Sequence, residues 1–183
     1  MSDEFKKEAF LPGTAQEVIQ SGCDNGRGIL TEFTASMLQP NNFSGAIFLP
    51  LSATPMVLAA LTGAQALSLN AGDRVWLTGT IGWQALADGI GTSRVDVIFR
   101  IFRNTPVNGP QILSIRESAE SSFDTFKAVS FHHVDINPVF EDSQLVSYFL
   151  TAELPLAGSK ATVIGPISFT AAELKPNPQP PCL

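Results

Sequence analysis

Charge is scarce in this chain. Only 15% of its 183 residues are Asp, Glu, Lys or Arg, against 44% that are apolar. So low a charge density implies apolar surface covered by further copies of the chain or by a partner. Cations are scarcer still. Eleven Lys and Arg against 17 Asp and Glu leave a net charge of −6, with no basic patch to neutralise phosphates. That speaks against nucleic acid and against an anionic membrane surface as partners. No apolar run approaches the ~20 residues that span a bilayer. Residues 1–8 mix charges and lack the apolar centre of a signal peptide, so neither membrane insertion nor export by the standard secretory route is expected.

Cysteine is limited to Cys23 and Cys182. This rules out the Cys-rich spacing of a structural zinc site. In a reducing compartment the two are expected as free thiols rather than as a bridge between tails or subunits. Cys182 is also misplaced for a prenylation box, which needs cysteine fourth from the end. Tyrosine is nearly absent, with one Tyr and two Trp against 13 Phe. Most of the phenylalanines are expected in the core. Phe102 and Phe126, on the parity opposite their strand's main face, are candidates for an outward surface covered by a neighbouring subunit.

What is present is a period of two. Along residues 73–84, Val75, Leu77, Ile81 and Trp83 share one parity. Arg74, Thr78, Thr80 and Gln84 share the other, broken only by Trp76. Successive side chains of a strand point to opposite faces, so this reads as a half-buried strand, and we place it at the centre of a sheet. Around it the pattern predicts strands at 43–49, 55–61, 94–103, 111–116, 123–135, 144–153 and 161–172. Residues 94–103 are apolar on both parities, as in a strand covered on both sides. Turn-rich segments separate them at 87–92, 104–110, 118–122 and 156–160. Eight strands without a long helix predict an all-β fold, an eight-stranded jelly-roll β-sandwich over residues 43–174. An immunoglobulin-like sandwich fits less well, because the domain lacks the Cys…Trp…Cys spacing. Residues 1–42 read as an irregular arm, with a helical turn at 14–20 capped by Thr14 and an extra edge strand at 31–38. Residues 175–183 read as a Pro-rich extended tail.

No arrangement of reactive groups emerges. His132, His133 and Asp135 are metal-ligand types, but only His133 and Asp135 share a strand face, and two ligands do not make a site. Asp88-Gly89-Ile90-Gly91 lacks the three spaced glycines and following helix of a dinucleotide fingerprint. Ser44 and Ser52 lack a nucleophile elbow. Glu117, Glu120, Asp124, Glu141 and Asp142 fall in loops, where solvated surface is the default and calcium in the 141–142 loop the alternative. We therefore expect no catalytic, cofactor-binding or metal residues, and no enzyme.

Five phrases carry a resemblance: residues 49–55 (LPLSATP), 72–84 (GDRVWLTGTIGWQ), 97–101 (VIFRI), 130–135 (SFHHVD) and 161–169 (ATVIGPISF). Together, in order and spacing over residues 45–173, they resemble a family of bacterial endospore surface proteins, exosporium protein C and its relatives. The resemblance implies a jelly-roll structural domain of tumour-necrosis-factor-like architecture in the exosporium or outer coat, made in the mother-cell cytoplasm. It implies self-association, a trimer favoured, and docking to other spore-surface proteins. The chain departs from the collagen-like exosporium glycoproteins in having no Gly-X-Y segment and no Pro-rich leader in residues 1–40. The alternative reading is a lectin-like module binding glycan or calcium in its loops, with Trp76 and Trp83 as stacking residues.

Overall fold

The alternation across residues 73–84 is realised as a strand, Arg74–Ala85. Its Val75, Leu77, Ile81 and Trp83 are fully buried, while Arg74 and Trp76 are exposed. The computed structural model describes residues 28–176, apart from residues 46, 87–93, 121–124, 137, 140 and 157–158. All of these belong to one compact unit. In chain order the strands are β1 (Gly28–Leu38), β2 (Leu49–Pro50), β3 (Met56–Leu61), β4 (Leu67–Leu69), β5 (Arg74–Ala85), β6 (Val95–Arg103), β7 (Gln111–Ala119), β8 (Thr125–Ile136), β9 (Gln144–Val146), β10 (Tyr148–Glu153) and β11 (Ala161–Pro176). A single 3-10 turn, Gly63–Gln65, links β3 to β4.

The eight longer strands build two antiparallel sheets. One runs β1-β11-β5-β8, with β2 added beside β11, and the other runs β3-β10-β6-β7; β4 and β9 form a separate pair. Counted along the chain without the three short strands, the orders are 1-8-3-6 and 2-7-4-5. Each sheet interleaves strands from both halves of the chain, as two Greek keys folded face to face require. The chain is thus an all-β sandwich of jelly-roll order, with β5 interior to its sheet as expected.

The inner faces meet in one core that includes Leu77, Ile81 and Trp83 of β5, Val97, Phe99 and Ile101 of β6, Leu150 of β10, and Ile167 and Phe169 of β11. Each such burial contributes roughly 1.5–3 kcal/mol. β6 is covered on both sides as expected: Phe102 is buried on its outer parity and Ile98 half-buried.

Four expectations are corrected. Residues 43–49 are not a strand. They bend, with Gly45 in the left-handed region at φ 70°, and only Leu49 and Pro50 pair, with Val163 and Thr162. This segment crosses the sheet instead of running along it. A Cβ on Gly82 would lie 2.8 Å from the Phe43 ring and 1.7 Å from the Gly165 carbonyl oxygen. The edge strand expected at 31–38 is present but longer: it is β1, starting at Gly28, and it opens the first sheet. It pairs with β11 over its whole length, from Gly28 opposite Pro176 to Leu38 opposite Ile167. The expected strand 144–153 is broken at Ser147, whose N–H donates to the Asn104 side chain (3.3 Å) and whose carbonyl accepts from the Asn104 N–H (2.8 Å). Finally, β7 and β11 extend past their expected ends, β11 into the first residues of the expected tail. The helical turn at 14–20, both cysteines, the loop from 87 to 92, Asp124 and the tail beyond residue 176 lie outside the described residues.

Candidate self-association face

The outward parity of the β1-β11-β5-β8 sheet aligns in register across four strands. Leu30, Leu174, Arg74 and Ile136 form one row, followed by Phe33, Ala172, Trp76 and Val134. The next rows are Ala35, Thr170, Thr78 and His132, then Met37, Ser168, Thr80 and Ser130. Arg74 is the only Asp, Glu, Lys or Arg in these four rows. Leu30, Phe33, Met37, Trp76, Val134 and Ile136 are all exposed, Phe33 by 62% and Trp76 by 45%. At the far end Phe43 and Phe126, both exposed, meet edge to face with ring centroids 5.8 Å apart. Eight side chains of this size expose on the order of 800 Å², above the largest patch of an ordinary monomer and near what one partner contributes to a stable interface.

Four hydroxyls of the face are already paired with each other. Thr78 and Thr170 hydroxyls are 2.6 Å apart, and Thr80 and Ser130 hydroxyls 3.1 Å apart. Covering a hydroxyl that keeps its hydrogen bond avoids most of the desolvation cost of an unpaired one. These four hydroxyls are therefore inexpensive to remove from water.

The other sheet's outer face is built differently. Asp96, buried on β6, accepts from Arg94 Nε (2.7 Å), Ser118 Oγ (2.6 Å) and Arg116, through Nε at 3.1 Å and through Nη2. Arg94 Nη2 also donates to Ser118 Oγ (2.7 Å). The Ser118 hydrogen bond, opposed by burial and assisted by Arg116 and Arg94, holds the Asp96 carboxyl down at about 2. On neighbouring strands Arg100 pairs with Glu153.

The residues singled out in the sequence separate cleanly. His133 and Asp135 lie on the inner parity of β8, and His132 is exposed on the outer one. Asp135 is fully engaged: Arg103 Nη1 reaches both its oxygens (3.2 and 3.4 Å), and the Tyr148 hydroxyl donates at 2.9 Å. Burial, then the Asp135 charge, pushes the Tyr148 phenol far above its ordinary value, so it stays a donor. Because β8 belongs to one sheet and β6 and β10 to the other, this cluster pins the two sheets together. Ser52 Oγ turns back on Thr54 of its own segment. Glu141 and Asp142 are exposed, with Asp142 accepting from the Ala71 N–H (3.1 Å). Among the described residues no three His, Cys, Asp or Glu side chains converge as a metal site. Trp83 is fully buried and Trp76 exposed, so of the two only Trp76 faces outward. Phe126 is outward as expected, whereas Phe102 is buried within the chain itself.

The chain matches no protein-family model and no curated protein sequence. Its shape is similar to several solved structures. The Eiger TNF of S. frugiperda shares 11% identity at a TM-score of 0.48, over 84% of this chain and 99% of that one. A chain of the infectious bursal disease virus Gx strain shares 8% at 0.43, over 82% of this chain and 34% of that one. A CBM4 structure shares 14% at 0.29, over 75% and 93%. Among the described residues no helix is long and apolar enough to cross a membrane.

Proposed function

We propose that this is a non-enzymatic structural protein of the bacterial spore surface, in the exosporium or outer coat. It self-associates through the outer face of the β1-β11-β5-β8 sheet and docks to other spore-layer proteins. The observation that carries self-association is that face: four strands wide, one Asp, Glu, Lys or Arg in its four rows, and four of its hydroxyls paired internally. A closed symmetric assembly of this face, a trimer favoured, covers the apolar rows without leaving a sticky remainder. The spore assignment draws on the five phrases named above, which supply segments of β5, β6, β8 and β11.

Sizing by light scattering tests the first part. The wild type is expected as a defined homo-oligomer, and Phe33→Gln with Trp76→Gln as a folded monomer, because paired aromatic anchors of this kind are worth at least about a hundredfold in affinity. A wild type that remains monomeric at high concentration defeats the self-association reading. If that monomer also binds sugars with calcium on a glycan array, the lectin-like alternative replaces it. Antibody labelling of sporulating cells tests location, and a signal confined to the vegetative cytoplasm defeats the spore assignment alone.

A further inference from the structure

One pair of buried carboxyls has no part in the face or in the pin between the sheets. Glu173 lies on β11 on the parity of Ile167, Phe169 and Ala171, directed between the sheets, and is 2% exposed. Its strand neighbours are Glu32 on β1 and Val75 on β5. Its Oε2 accepts from the hydroxyl of Thr31, the extra residue of a bulge where the β1 register slips between Leu30 and Glu32. Its Oε1 is buried with no N–H or O–H donor of the ordinary kind, and Lys175 Nζ stands off at 3.6 Å. On the same inward face is the equally buried carboxyl of Asp73, two residues before Val75, the strand partner of Glu173; its Oδ2 accepts from the Asn70 N–H at 2.7 Å. Two carboxyls bond to each other only when one of them holds a proton.

We infer that the Asp73–Glu173 pair is a proton-dependent latch on β1: with one proton shared, β1 lies closed over the buried pair, and with both carboxyls ionised their need for water loosens it. β1 is an edge strand whose ladder runs to β11 alone, with two further ties, Gln65 Nε2 to the Ala35 carbonyl (2.7 Å) and the Ser68 N–H to Glu32 (3.1 Å), so it opens locally rather than with the whole sandwich. It also carries Leu30, Phe33 and Met37 of the outer face. Regulation of assembly by the latch therefore rests on the self-association reading, while the latch itself does not.

The surroundings do not offset a second negative charge. Among the described residues Lys175 is the one cation paired with Glu173. Glu32 is turned to the Ser68 N–H of β4 (3.1 Å), Asp142 to the Ala71 N–H, and Arg74 lies on the outward face. Asp135, across Val75, is occupied by Arg103 and Tyr148. Burial first, and the Asp73 contact after it, raise the Glu173 carboxyl, while the Thr31 hydrogen bond and Lys175 act the other way. A carboxyl raised in the folded state stabilises fully below its ordinary value of 4.5, and that contribution is lost as pH climbs through the raised value. Mild acid closes the latch and alkali opens it.

Hydrogen exchange read on the monomeric Phe33→Gln, Trp76→Gln protein isolates the latch from assembly. Protection factors of β1 amides are expected to fall several-fold from pH 5 to pH 8. Those of β7, an edge of the other sheet, should stay constant. Adding Glu173→Gln, whose amide donates to Asp73 at any pH, should flatten the β1 response; Asp73→Asn serves if that protein does not fold. Equal β1 protection at both pH values, or a response that survives both substitutions, overturns the inference. So does recovery of β1 protection at pH 8 on adding calcium, which would make the pair a cation site. In the wild type, light scattering should show dissociation over the same pH range. A β1 response in a wild type that never assembles leaves the latch standing and removes only the self-association reading.

Discussion

The outer faces of the two sheets are built from strands of the same period over the same core, yet their chemistry is opposite. On β6 and its neighbours a buried Asp96 gathers Arg94, Arg116 and Ser118, and Arg100 pairs with Glu153. On β5 and its neighbours the corresponding positions are Trp76, Thr78 and Thr80, flanked by Phe33, Met37, Val134 and Ile136. The inner parity of a sandwich strand is dictated by the core, but the outer parity is free, so it reports what covers it. A buried carboxylate whose guanidinium partners stand more than half in water suits a face that stays wet. A broad apolar face with satisfied hydroxyls is suited to another protein surface.

The comparison is broken most severely at Gly82. A Cβ there collides with the Gly165 backbone carbonyl, which has nowhere to go, and displaces Phe43. Gly82→Val should lose about 3 kcal/mol or more in urea unfolding and disorder the Phe43 end of the apolar face. Next comes the ion-paired face. Asp96→Asn removes the charge that both guanidiniums share, but these are more than half in water, so the loss near pH 7 should be about 1–2 kcal/mol. Asp96 is lowered in the folded state from 3.8 to about 2. Its contribution is therefore present above 3.8 and lost as pH falls through 2, and wild type and variant should converge in stability there. The smallest change sharpens the contrast. Thr78→Val with Thr170→Val removes both partners of one hydrogen bond, so folding stability should move by less than about 1 kcal/mol. Association, measured by sedimentation, should tighten a few-fold; weakening would mean that the face is not covered by protein.

Much of the fold was legible because water-facing polar residues mark the period of two. In β5, Thr78, Thr80 and Gln84 outline the buried row of Val75, Leu77, Ile81 and Trp83 unambiguously. β1 was legible as an edge strand over 31–38, but not its first residues or which face was covered. Its outward side chains, Leu30, Phe33 and Met37, are as apolar as inward ones, which erases the contrast between parities. Residues 43–49 misled in the opposite sense: Ile47, Phe48 and Leu49 look strand-like, but close approach to Gly82 and Gly165 directs the chain across the sheet. The carboxyl pair was overlooked because acidic residues near strand ends read as solvated. The available signal was parity, since Glu173 continues the inward row of Ile167, Phe169 and Ala171.

The position of β11 has a consequence for how the molecule is made. It lies between β1 and β5 and receives β2 as well, so the strand of this sheet that is translated after all its partners is the one that joins the earliest of them. Until residue 176 has left the ribosome, β1 has no partner and one side of β5 is open. Such long-range pairing makes for slow folding with unpaired edges exposed during synthesis. Truncation ahead of residue 161 should therefore yield a chain that aggregates rather than a smaller stable domain.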